Sequence, residues 1–185
     1  MEELLSGCTC LWLQAAAGPQ QLVSSAVSLI VVSVKGTENS MNQRPLWKCS
    51  RCEREFANRN QSHACARYTL ADHLSGKTPH AVALFRRFAQ LVEECGPVRI
   101  LPEKTRIAFQ VRMSFAAVSL RRDRLIGHVV LARRMEHSRF TRIESISPRN
   151  HVHCFCIRTP LELDEELLEW LREAYLVGEQ QHLGM

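Results

Sequence analysis

The chain has 185 residues, 45% of them apolar, which is enough for one full-sized domain beside a small one and too apolar for a broadly disordered protein. Its net charge of +5 conceals an asymmetry: residues 99–158 hold 13 Lys/Arg against 4 Asp/Glu, whereas residues 161–185 hold 1 against 7. That pattern excludes a uniformly basic nucleic-acid binder, and no apolar run reaches the ~18 residues of a transmembrane helix.

Residues 1–40 show little helical or strand periodicity until their last apolar run, LVSSAVSLIVVSV at 22–34. They read as an upstream or unstructured extension, with Met41 as the natural start. The competing reading is a strand over 27–34 that joins the main sheet. The acidic flank MEELL lacks the basic start of a secretory signal, so an intracellular, cytoplasmic protein is expected. In that setting eight cysteines are thiols and metal ligands before they are disulfides. The Cys8-x-Cys10 pair is weak evidence for anything.

Residues 41–75 hold a Cys/His cluster and a polar connector. Cys49, Cys52, His63 and Cys65 follow the spacing C-x2-C-x10-H-x-C, four donors of the types zinc prefers. The first pair suits a knuckle, in which two thiolates grip one ion from a tight turn. Phe56 sits where small fingers place a core aromatic, and Trp47 is placed to cover the ion. A segment this small has little core, so a metal supplies its folding energy. Four clustered donors imply a filled, structural site, because a catalytic zinc keeps one position open. A thioredoxin-like redox pair is disfavoured for want of a preceding strand. His73 is a rival for the fourth ligand.

Residues 76–180 read as an α+β domain. Thr78 caps a helix with Pro79 at its first position, and Ala81, Leu84, Phe85, Phe88, Leu91, Val92 and Cys95 recur on one side until Gly96-Pro97 stops it. About five strands follow: KTRIAFQVR, SFAAVSL, RLIGHVVLA, FTRIESI and HVHCFCIR. Their short polar separators imply mostly antiparallel pairing. Asp164 caps a last helix with an apolar stripe of Leu167, Leu168, Leu171, Ala174 and Tyr175, which Gly178 can end. The expected architecture is an antiparallel sheet flanked by an N-terminal and a C-terminal helix, both on one face.

These segments carry a likeness. LWKCSRCEREFANRNQSHAC, HLSGKTP, FRRFAQLVEECGPVRILPEKTRIAFQ, FAAVSL and LDEELLEWLREAY together resemble a bacterial domain of unknown function, family 5655, preceded by a short zinc-binding segment. The resemblance spans Trp47 to Gly178. It implies an α+β fold and an intracellular bacterial setting, and no activity.

Three functional readings remain open. Lys104 and Arg106 are placed to hold an anion against the sheet, and the basic middle favours an anionic partner such as nucleic acid. A pure interaction module with zinc in a stabilising role is the second. The third is an enzyme or small-molecule binder that uses a sheet-face pocket of His128, His151 and His153. No nuclease or hydrolase spacing, G-x-S-x-G, P-loop or G-x-G-x-x-G occurs, so the balance leans against an enzyme.

Overall fold

The computed structural model describes residues 44–61, 63 and 65–183. Met41, the run over 27–34, Cys8 and Cys10 lie outside the described residues.

The polypeptide opens with a miniature antiparallel hairpin, β1 (Trp47–Lys48) and β2 (Glu55–Phe56). A short helix follows, α1 (Leu70–Leu74), set by a capping box in which Thr69 and Asp72 satisfy each other's backbone N–H groups. Then comes the long helix α2 (Pro79–Glu94), which starts at Pro79 behind the Thr78 cap. Strands β3 (Arg99–Pro102), β4 (Ile107–Gln110), β5 (Ser114–Leu120), β6 (Leu125–Leu131), β7 (Phe140–Ser147) and β8 (Asn150–Ile157) lead to the last helix, α3 (Glu165–Gly178). Asp164 accepts a hydrogen bond from the Leu167 N–H to begin that helix.

The protein is therefore α+β, with a six-stranded sheet in the order β3-β4-β5-β6-β8-β7 and every neighbouring pair antiparallel. The sixth strand is β3, which the sequence pattern does not show. It is a four-residue edge strand that ends on Pro102, where the missing N–H does no harm. The order also departs from chain succession. The hairpin of β7 and β8 closes back so that β8, not β7, lies beside β6.

Cross-strand register assigns the faces. Ile107 and Phe109 align with Val118 and Ala116, Leu125 and Val129 with Ile157 and His153. This face is apolar and carries both helices. Phe88 of α2 lies 5.5 Å from Phe109 and 5.8 Å from Phe155, ring centre to ring centre. From α3, Trp170 packs on Phe140 at 4.6 Å and Tyr175 on Phe115 at 5.5 Å.

Two glycines mark close approaches. Gly96 ends α2 at φ +144°, and a side chain there would lie 2.6 Å from the Tyr175 hydroxyl. Gly178 is the last residue of α3, and a Cβ would meet Val111 at 2.8 Å and Phe115 at 2.9 Å. It lets the helix end sit down on the sheet, and its carbonyl accepts a hydrogen bond from the Met113 N–H.

The charge blocks meet in part. Arg139 pairs with Asp164 and Glu166 at the start of α3 and lies over the Trp170 ring, and Arg133 pairs with Glu173. The small hairpin is tied to the sheet as well. Arg99 bridges to Glu55 at 2.6 Å, and the Gln110 amide donates to the Glu55 carbonyl at 3.0 Å.

Candidate metal centre and adjoining cavity

The turn between β1 and β2 is built to offer sulfur. The Cys49 N–H donates to the Arg54 carbonyl and the Glu53 N–H to the Cys49 carbonyl, which closes the loop. Glu53 takes a left-handed conformation at φ 60°, a mild strain that such knuckles accept to turn their amides inward. The Arg51 N–H reaches the Cys49 sulfur at 3.4 Å.

Four donor atoms converge there, from Cys49, Cys52, His63 and Cys65, all within 4.8 Å of one another. The Cys49 and Cys65 sulfurs are 3.9 Å apart. The His63 Nε2 stands 3.3 Å from the Cys52 sulfur and 3.4 Å from the Cys65 sulfur. A tetrahedral zinc at ordinary bond lengths demands about 3.8 Å between sulfurs and about 3.6 Å between sulfur and nitrogen. The cluster fits that frame and could hold a metal ion.

The surroundings prepare the donors. The His63 Nδ1–H donates to the Gln61 carbonyl at 2.7 Å, which leaves Nε2 with its lone pair toward the sulfurs. Phe56 is buried and stacks on the His63 ring at 4.4 Å, while Trp47 meets Phe56 at 5.9 Å. Backbone hydrogen bonds from Arg51 and Cys52 lower the Cys49 thiol. Burial opposes ionisation of Cys52, yet hydrogen bonds from the Arg54 backbone and side chain, Cys49 and His63 outweigh it and bring the thiol to about 6. Burial and its thiol neighbours push Cys65 up. A bound divalent ion reverses that last effect by its own charge.

His73 is not part of the cluster. Its Nε2 donates to the Glu103 carbonyl at 2.6 Å, which pins α1 to the turn after β3.

Lys104 and Arg106 sit in that same turn, between β3 and β4. Arg106 is paired with Glu103 at 2.7 Å, whereas Lys104 has no partner among the described residues. Both line a cavity of about 410 Å³ between the knuckle and the sheet. Arg54, Tyr68, Gln110 and Arg112 line it too, and so does the His63 ring. Sequence reasoning missed these contributors. Only folding brings the knuckle against the β3–β4 and β4–β5 connections.

The structure does not bring His128, His151 and His153 together on one face of the sheet. His128 is aligned with Cys154, whereas His153 is aligned with Val129. Neighbouring positions on β6 point to opposite faces, so His128 lies on the helix-free face while His151 and His153 lie on the face the helices cover. His153 is fully buried; its Nε2 accepts the Met135 N–H at 3.0 Å and its Nδ1–H donates to the His151 carbonyl. His151 is satisfied by Ser145 at 2.8 Å. These are core histidines with complete hydrogen bonds. Among the described residues, the Cys49 group is the one cluster of three or more such side chains with metal-binding geometry.

No helix among the described residues is long and apolar enough to cross a membrane. A family model for a domain of unknown function, DUF5655, matches residues 70–178. The Cys/His cluster precedes the matched segment. No curated protein and no solved structure matches the chain.

Proposed function

The chain belongs to the DUF5655 family, and we propose that it is a binding module, not an enzyme, braced by a zinc-loaded knuckle and directed at an anionic partner. Cys49, Cys52 and Cys65 serve as thiolate ligands and His63 binds through Nε2. Three sulfurs and one imidazole are a zinc donor set, and four protein donors leave a tetrahedral ion no open position. The metal's task is then to hold the hairpin against the sheet, as the Gln110 and Arg99 contacts to Glu55 require. A thiolate site of this kind suits a reducing bacterial cytoplasm.

One observation carries the partner class. Arg54, Lys104, Arg106 and Arg112 converge on the cavity beside the knuckle, with Glu103 as the acidic group among its lining residues. Arg112 is held by neutral groups, the Gln180 side chain and the Arg44 carbonyl, so its charge stays available. Nucleic acid is the anionic partner that the basic middle of the chain favours. Anisotropy of a labelled single-stranded oligonucleotide, titrated with the full chain at low and at moderate salt, tests this. Binding should be measurable at low salt and weaken as salt rises; no binding at low salt overturns the reading.

A second reading, a protein-interaction module, draws on the helix-free face of the sheet. Ile126 is 38% exposed there, with half-buried Val130 and Val152 alongside.

A further inference from the structure

We infer that the cavity between the knuckle and the sheet is a site for one nucleotide unit: a phosphate group held by its cationic rim, and an attached planar base stacked on Tyr68. The inference rests on the anionic-partner reading and narrows it.

Charge comes first. Four cations line the cavity against the single carboxylate of Glu103. Glu103 offsets Arg106, and the Arg54 side chain also reaches the Cys52 sulfur. Lys104 and Arg112 are left with no acidic partner among the described residues. Two uncompensated cations at one concave place match one phosphate. Duplex binding rests instead on many phosphate contacts strung along a surface.

Size and shape agree. A cavity of about 410 Å³ lies within the usual range for small organic ligands. It has more room than a bare phosphate needs, so part of the ligand lies beyond the charge. The remaining wall is suited to a base. Tyr68 is half-buried in the lining, and its hydroxyl has no partner among the described residues. Aromatic stacking is how proteins hold unpaired bases, at roughly tenfold in affinity per base. Gln110 is only 4% exposed and lines the cavity. Its Nε2 is committed to the Glu55 and Arg112 carbonyls, while its Oε1 has no partner among the described residues. An amide oxygen on a fixed side chain that lines the cavity suits an exocyclic amino group of a base.

The knuckle forms one wall through Arg54, Phe56, Gln61 and His63, so the site exists only while the knuckle is folded. Metal and nucleotide should therefore stabilise each other.

Calorimetry on the full chain tests the site with adenosine monophosphate, inorganic phosphate and adenosine, alongside a short single strand with and without a 5′-phosphate. The mononucleotide or the phosphorylated strand should bind at least about tenfold tighter than inorganic phosphate or adenosine. Whichever of the two binds tighter identifies the source of the unit as free nucleotide or strand end. Tyr68→Ala should remove the advantage over inorganic phosphate, and Tyr68→Phe should keep it. Lys104→Glu should weaken every phosphate-bearing ligand without loss of metal, and chelation should abolish binding. If the mononucleotide and the phosphorylated strand bind no tighter than inorganic phosphate, the nucleotide site is refuted while the anionic-partner reading stands. If polyanions also fail to bind at low salt, that reading falls with it.

Discussion

Acidification should destabilise this fold through His128, and the size of the effect follows from the sheet. His128 lies at the centre of β6 on the helix-free face, aligned across the strands with Ala117 and Cys154. Burial disfavours its charged form first, Arg106 adds to this, and Glu103 partly opposes it, so the imidazole is brought down to about 4. In the unfolded chain the same group titrates near 6.5. The folded state binds the proton less well, so stability is fully present above the unfolded value and is lost as pH falls from there toward 4. Between pH 7 and pH 5 the loss is roughly 2 kcal/mol, and it approaches about 3 kcal/mol below the folded value. Urea unfolding of the native chain and of His128→Gln at both pH values isolates the effect, because loss of metal in acid is common to both proteins. The native chain should lose about 2 kcal/mol more than the variant. A difference below about 0.5 kcal/mol, or an NMR titration of His128 near 6.5, would refute the burial argument.

Other expectations are as direct. Elemental analysis should find about one zinc per chain, and Cys49→Ser or Cys52→Ser should release it, with amide protection lost from Cys49 to Phe56; metal-free protein prepared without chelator would defeat this. Phe88→Ala removes a fully buried ring set between Phe109 and Phe155, and should cost about 3–5 kcal/mol in urea unfolding with an unchanged m-value. Gly178→Ala places a methyl 2.8 Å from Val111 and 2.9 Å from Phe115, and should cost about 1–3 kcal/mol, read as a lower melting temperature. Arg99→Ala severs the bridge to Glu55 and the bond to the Val111 carbonyl, so the hairpin should exchange its amides faster while far-UV circular dichroism stays unchanged.

Features that depend on residues close together in the chain were legible before folding. Thr78 followed by Pro79, and Asp164 followed by two glutamates, specify helix starts because a cap satisfies amides only a few residues away. Alternation in KTRIAFQVR marked β4, and short polar separators specified antiparallel pairing. The two amphipathic helices need an apolar sheet face to cover, and β6 and β8 each bury one face only. The four donors of the Cys/His cluster were legible because their residue types and spacing are themselves the signal. Tertiary structure decided the rest. Strand β3 has too few residues for a period, and hydrogen bonds to β4 make it a strand. The order β6-β8-β7 depends on which edge the last hairpin reaches, a choice that no local pattern encodes. The separation of His128 from His151 and His153 depends on register, where one position exchanges the faces. The cavity draws Arg54 and Tyr68 from one segment and Lys104, Gln110 and Arg112 from another, and charges distant along the chain converge only after the hairpin docks on the sheet.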